Sequence, residues 1–294
     1  MEGREQKGFC MSLELQGTGT PISITPTDSP RIIGERINPS GRRILRQALL
    51  DKDWDYVTHQ AVLQVEAGAD ILDVNVGGRG IDEVTILPEV IKRISETVDV
   101  PLSIDTRVPA ALEEALKICP GRPLVNSIGG DDKVLTENLP IITEFGVPVI
   151  VLCMGQEGIP NNSDDRLLVA HKVLNTAVKA GVAEHDIILD PLVMTIGADD
   201  QAAYVALETT RRLREEFPYN NITGGASNVS FGMPERSIIN AHFLSVAFKL
   251  GMNMPITDPT NPQLRLALLL GNIFLGRDTN TRTYMRYYRS TKLN

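Results

Sequence analysis

The stretch Asp70-Ile71-Leu72-Asp73-Val74-Asn75, with the segments that follow it, decides the fold class. Its short β-branched pulse reads as a buried strand. Next come Val84, Leu87, Ile91, Ile94 and Val98, spaced 3, 4, 3 and 4, the stripe of an amphipathic helix. Leu102-Ser103-Ile104-Asp105 then repeats the strand pulse. A strand, a helix and a strand in this order form a parallel pair joined by a crossover.

The same alternation extends outward in both directions. Strand pulses fall at residues 31–34, 70–75, 102–105, 124–127, 147–152, 187–190, 222–226 and 254–257. Each leaves room for a helix behind it. Pro109 suits the first turn of the third helix, and Ser163 or Asp164 can cap the fifth. Gly68 and Gly181 stand where a left-handed residue would end helices one and five. Eight strand-helix units predict the α/β class and a single (β/α)8 TIM barrel over residues 31–294. Residues 1–30, rich in Gly, Thr, Ser and Pro, are expected to form an N-terminal tail or a lid over one end. No GxGxxG follows the first pulse, so an open dinucleotide fold has no support.

Composition narrows the partners. An apolar content of 42% with 22% charged residues describes a globular chain with ample core. A net charge of −8 disfavours nucleic acid, which needs clustered Lys and Arg. Cys10, Cys119 and Cys153 are odd in number and lack CxxC spacing, against a disulfide framework or structural zinc. The longest apolar run, 266–275, is broken by Gly271 and Asn272 and falls short of the roughly 20 residues of a membrane span. No secretory leader follows Met1. The expected setting is cytoplasmic, with no membrane partner.

A parallel barrel gathers its chemistry at the C-terminal ends of its strands. Those ends carry Glu35 and Asn38, Asp73 and Asn75, Asp105 and Arg107, Asn126 and Ser127, Cys153 to Gln156, Asp190, Ser227 and Asn228, and Thr257 and Asp258. The set is almost entirely carboxylates and carboxamides. His59, His171, His185 and His242 all fall in helices or helix-strand connections, so no metal site is expected. No strand lysine is available for a Schiff base, and no nucleophile-base pair stands out. A carboxylate accepts two parallel N–H bonds and a carboxamide both donates and accepts. Such groups suit the edge of a flat pterin-like or purine-like ring. Any one of them could instead cap the next helix. The adjacent Gly224 and Gly225 are expected to let such a ring lie close.

Several of these segments together resemble the pterin-binding barrel superfamily. The branch they resemble is the methyltetrahydrofolate:corrinoid protein methyltransferases, with the folate domain of cobalamin-dependent methionine synthase. The matching segments are Ile33-Gly34-Glu35-Arg36-Ile37-Asn38, Leu72-Asp73-Val74-Asn75-Val76-Gly77, Ser103-Ile104-Asp105-Thr106 and Val125-Asn126-Ser127-Ile128. To these add Gln156-Glu157-Gly158-Ile159-Pro160, Ile188-Leu189-Asp190-Pro191-Leu192 and Ser227-Asn228-Val229-Ser230-Phe231. The resemblance implies that Asp105, Asn126 and Asp190 hydrogen-bond the pterin ring and that Asn228 reaches N5, where the methyl departs. It makes Arg236 the arginine beside the folate, and puts Asn75, Gly225 and Ser227 in or next to the binding shell. Glu35 and Asp73 are left open between binding and structural roles.

The activity so implied is methyl transfer between N5 of tetrahydrofolate and the cobalt of cobalamin, carried by a separate corrinoid protein. Protonation at N5 makes the leaving amine neutral, and displacement in line asks the protein for positioning and charge stabilisation. Neither the direction of transfer nor the pathway follows from these residues. A homodimer is implied by resemblance only. Arg42, Arg43 and Arg79 could meet the anionic folate tail or the partner, or could be a solvated basic loop. Two alternatives remain. One is a dihydropteroate synthase-like enzyme, which shares Asp73-Val74-Asn75-Val76-Gly77-Gly78 but not the loop Glu35 to Arg42, nor a basic pair at the eighth strand. The other is a non-catalytic folate-binding module.

Overall fold

The computed structural model describes residues 12–292, with side chains as far as residue 289. Residues 1–11, and with them Cys10 and the start of the expected tail, lie outside the described residues. The first two strands, β1 (Leu13–Leu15) and β2 (Ile22–Ile24), pair antiparallel as a hairpin. The eight strands that follow close on themselves: β3 (Ile33–Ile37), β4 (Ile71–Asn75), β5 (Leu102–Asp105), β6 (Leu124–Ile128), β7 (Val149–Leu152), β8 (Ile187–Asp190), β9 (Asn221–Gly225) and β10 (Met254–Thr257). All neighbours are parallel, and β10 returns to β3. The expected (β/α)8 barrel is what the chain forms.

The helices form the outer ring: α1 (Arg43–Asp51), α2 (Trp54–Glu66), α3 (Glu83–Ser95), α4 (Pro109–Ile118), α5 (Asp132–Phe145), α6 (Ser163–Ala180), α7 (Ala202–Glu216), α8 (Arg236–Leu250) and α9 (Pro262–Phe274). A last helix, α10 (Arg282–Lys292), follows. Details differ from the sequence expectation for local reasons. β3 runs on through Glu35 and Arg36 to Ile37, because both polar side chains find partners there, Glu35 at Ser227 and Arg36 at Asp258 and Gln60. The cap of α6 is Asn162, whose side chain accepts from Asp165 N, so Ser163 and Asp164 begin the helix rather than cap it. In α3, Leu87, Ile91 and Ile94 are buried as expected, but Val84 in the first turn is exposed and Ile86 and Val90 take its place.

Alternation along the strands divides the barrel in two. Leu72, Val74, Ile104, Val125, Val151, Leu189 and Ile222 point outward into the main core under the helices. Ile33, Ile71, Leu124, Ile150, Ile188 and Met254 point inward near the strand starts. The hairpin packs there, with Leu13, Leu15 and Ile24 in the same cluster. Its backbone joins that end: Gln16 and Arg122 exchange bonds at 3.0 and 2.9 Å, and Gly19 N donates to Asp99 O. Gly17 fits because an added Cβ would lie 2.4 Å from Asp99 O. Of the segment expected as a tail or lid, residues 13–24 thus seat a hairpin on the end opposite the polar strand ends.

Candidate active site at the barrel mouth

On β3, β4, β6 and β8 the same alternation turns a polar side chain into the barrel two residues beyond the inward apolar one, namely Glu35, Asp73, Asn126 and Asp190, whereas β7 and β10 carry Leu152 and Ile256 there. Asn75, Asp105 and Asn126 stand directly beside one another, paired across β4, β5 and β6. Asp190 ends β8 opposite Leu152. The sequence-predicted ring-binding residues of the strands are therefore brought to one face.

Their hydrogen bonds fix which atoms are offered. Asp73 is buried one step below the row and accepts from Ser103 Oγ at 2.7 Å and Asn126 Nδ2 at 2.9 Å. With its amide nitrogen so engaged, Asn126 is left with its carbonyl oxygen to present. Asn75 Oδ1 accepts from Gly77 N at 2.8 Å, which leaves its Nδ2 to bond Asp105. Asp190 Oδ1 accepts from Leu192 N at 2.7 Å, leaving its second oxygen. Through Oδ1, Asp73 thus supports Asn126 from below.

The electrostatics are those of crowded, desolvated carboxylates. Burial raises the pKa of Asp105 well above the usual range, and the nearby Asp73 raises it further. Burial likewise raises Asp73, against the pull of its bonds from Asn126 and Ser103. Asp190 is pushed up to about 6 by burial. Glu35, at the mouth end of β3, is pushed up to about 7 by burial, and its bond from Ser227 only partly offsets this. Burial also raises the Cys153 thiol, and the Asp190 charge adds to it, which makes the thiol no nucleophile.

Asn228 lies in a short 3-10 turn, Ala226–Ser230, just past β9, and is exposed. The turn is tied down by Ser227 Oγ donating to Glu35 Oε1 at 2.6 Å. Arg236, the first residue of α8, donates from Nη2 to Ser227 O at 2.8 Å and from Nε to Ser230 Oγ at 3.1 Å. Its guanidinium also lies 5.8 Å from the Phe231 ring centre. The two glycines differ from expectation. A Cβ on Gly224 would meet Met252 and Val193 of the outer core. A Cβ on Gly225 would meet Asn228 Nδ2 at 2.7 Å. Both openings are filled by the protein's own side chains. Of the three basic residues, Arg43 and Arg79 are exposed, and Arg42, half-buried, favours the ionised form of Glu35.

Sequence reasoning missed Arg166. It is 3% exposed and donates to Pro160 O, Pro191 O and Leu192 O at 2.8–2.9 Å, lacing together the loops after β7 and β8. Leu192 sits at φ 65°, a strained setting for leucine that these bonds and Asp190 hold in place. The signal was there: Arg166, Ala170, Val173, Leu174 and Ala177 form one stripe of α6, so a charge was written into a buried face. The histidines lie elsewhere, His171 pairing with Glu216 and His242 with Ile238 O.

Together the mouth offers several acceptors, partly protonated at neutral pH, and one exposed carboxamide beside them. That set suits a flat ring rich in N–H groups. A methylcorrinoid:tetrahydrofolate methyltransferase of Eubacterium limosum is 28% identical over 264 residues, 89% of this chain and 97% of its own. Methionine synthase of Mycobacterium tuberculosis is 26% identical over 249 residues, 81% of this chain but 21% of that longer protein. Among solved structures, a Yersinia pestis dihydropteroate synthase with a bound pterine-sulfa conjugate superposes with TM-score 0.70 at 18% identity, covering 91% of this chain and 100% of that one, which speaks for the fold alone. The profile of the family described as pterin binding enzyme matches residues 34–258, the span of all eight barrel strands but the first residue of β3, and the chain belongs to that family.

Proposed function

We propose that this protein moves a methyl group between N5 of 5-methyltetrahydrofolate and the cobalt of a corrinoid held by a partner protein. The observation that carries the reading is the pairing of an acceptor set, Asp105, Asn126 and Asp190, with the exposed Asn228 amide on the adjoining turn. The donor chemistry fits a reduced pterin, whose amino and ring N–H groups face outward along one edge.

In this reading Asp105, Asn126 and Asp190 take the N–H edge, and Asp73 keeps the Asn126 oxygen turned toward it. Asn228 lies at the N5 side, where it can hydrogen-bond the nitrogen as its charge changes. The corrinoid cobalt supplies the methyl acceptor or donor. The residues orient the N5–methyl bond along the line to the mouth and exclude water from the ring edge. Both directions share one transition state, so the same contacts serve each. Arg42, Arg43 and Arg79 would meet the anionic glutamate tail or the partner. A cytoplasmic homodimer completes the proposal, and sedimentation of the purified protein checks its oligomeric part.

The test is spectroscopic. Methylcobalamin, then a methylated corrinoid protein, is mixed with tetrahydrofolate and the enzyme under reducing, anaerobic conditions. Loss of the methylcobalt band, with 5-methyltetrahydrofolate appearing in equal amount, is the expected result. Folate binding without any cobalt change with either donor would overturn the reading. Asn228→Ala should slow the single-turnover rate by at least about tenfold, since one hydrogen bond to developing charge is worth about 2–4 kcal/mol.

A further inference from the structure

The turn that carries Asn228 is fixed by three neighbours on separate elements. Glu35, on β3, accepts from Ser227 Oγ at 2.6 Å. Arg236, on α8, holds the Ser227 carbonyl and the Ser230 hydroxyl at 2.8 and 3.1 Å. Gly225 leaves the space beneath: its backbone is at φ −70°, open to any residue, yet a Cβ there would fall 2.7 Å from Asn228 Nδ2. Glycine is present for room and not for backbone freedom.

We propose that Glu35 is a positioning residue for the Asn228 amide, acting through Ser227, with Gly225 providing the recess into which that amide folds. The amide lies one residue from the hydroxyl that Glu35 grips. A turn of five residues has little freedom once its second residue is fixed from both its side chain and its carbonyl. The consequence for rate rests on the methyl-transfer reading above; the placement of the amide does not.

The latch has two strengths. Glu35 faces Arg42 at the start of α1, Arg236 on α8, Asp258 after β10 and Asp73 on β4. The two arginines favour the carboxylate and the two aspartates favour the acid. Burial decides the balance and brings the group to about 7. The ionised carboxylate accepts a charge-assisted bond from Ser227, roughly twice as strong as the bond the neutral acid accepts. The turn therefore tightens as pH rises through about 7.

The side-chain amide of Asn228 reports this directly. In 15N-labelled, ligand-free protein its resonance is identified by its loss in Asn228→Asp and followed from pH 5.5 to 8.5. In the wild type the shift should move with a midpoint near 7. Glu35→Gln, which can still accept from Ser227, should keep the fold and abolish the midpoint. Ser227→Ala should abolish it too, and Gly225→Ala should displace the resonance at every pH. In turnover, Glu35→Gln should flatten the pH profile of kcat near neutrality and change KM for the folate by less than about twofold, since the ring-edge acceptors are untouched. A wild-type resonance that stays still, or one that titrates equally in Glu35→Gln, overturns the proposal while leaving methyl transfer standing. A resonance that follows Glu35 in a protein without methyl transfer upholds the positioning role and removes only the function.

Discussion

Asp190 spends one oxygen on the Leu192 amide and keeps the other for the mouth, and burial sets its proton affinity. Its pKa rises from 3.8 unfolded to about 6 folded, so the folded state holds more protons between those values. That contribution to stability is complete below pH 4 and is lost as pH rises through about 6. Asp190→Asn keeps an acceptor for Leu192 and removes the titration. Relative to wild type, the variant should gain stability as pH goes from 4 to 8, by up to about 3 kcal/mol. Urea unfolding at several pH values measures this, and a constant difference would sink the assignment. The same proton bears on binding. Ring N–H donors favour the ionised acceptors, so near pH 6 Asp190 should contribute on the order of half a proton to the protons released on tetrahydrofolate binding, beside what Asp105 releases, and Asp190→Asn should lose that share. Calorimetry in buffers of different ionisation enthalpy shows it; a buffer-independent heat counts against the ring-edge role. At this scale the sequence revealed residue types and order. It did not reveal that Asp73 faces Asn126, or that Gly225 serves Asn228, because such pairings join residues far apart or depend on a turn's exact path.

Among the elements, α6 shows how a helix can belong to the site without touching it. Its inner stripe packs Leu167, Ala170, Val173, Leu174 and Ala177, and the mouth end of that stripe carries Arg166. Burial lowers the pKa of this guanidinium, which donates its hydrogen bonds to three backbone carbonyls. The fork holds Pro191 and Leu192, and Leu192 in turn positions Asp190. Arg166→Lys keeps the charge but cannot reach both loops. It should cost roughly 2–3 kcal/mol of stability, from charged hydrogen bonds left unmade, and weaken folate binding several-fold. Wild-type affinity in a variant destabilised by that much would separate Arg166 from the site. Strand positions were readable because β-branched pulses recur eight times, while the end of β3 was hidden where Glu35 and Arg36 interrupt the apolar run. The Asn162 cap was missed for want of one residue of register, since Asn, Ser and Asp in succession are all competent caps.

At the scale of the molecule the barrel has one polar end and one apolar end, and they have different neighbours. The inward residues of the lower layer, Ile33, Ile71, Leu124, Ile150, Ile188 and Met254, would meet water if the strand starts were bare. The hairpin covers them, and Arg122 secures it with a bond to Glu14 O and a paired contact to Asp186 at 2.6 and 3.0 Å. Three-residue strands such as Leu13–Leu15 and Ile22–Ile24 are too short to show a period, so nothing in the sequence separated this hairpin from a loose tail. Its distance from the mouth makes a clean prediction. Leu15 is fully buried in the lower layer, and Leu15→Ala should cost about 2–5 kcal/mol for the lost contacts and the cavity. Tetrahydrofolate affinity, measured where both proteins are fully folded, should be unchanged, because Leu15 packs at the strand starts while Asp105, Asn126 and Asp190 stand at the strand ends. Unaltered stability would show that the hairpin does not seal the barrel. A loss of affinity at full folding would show that the two ends are mechanically coupled, contrary to the layered arrangement.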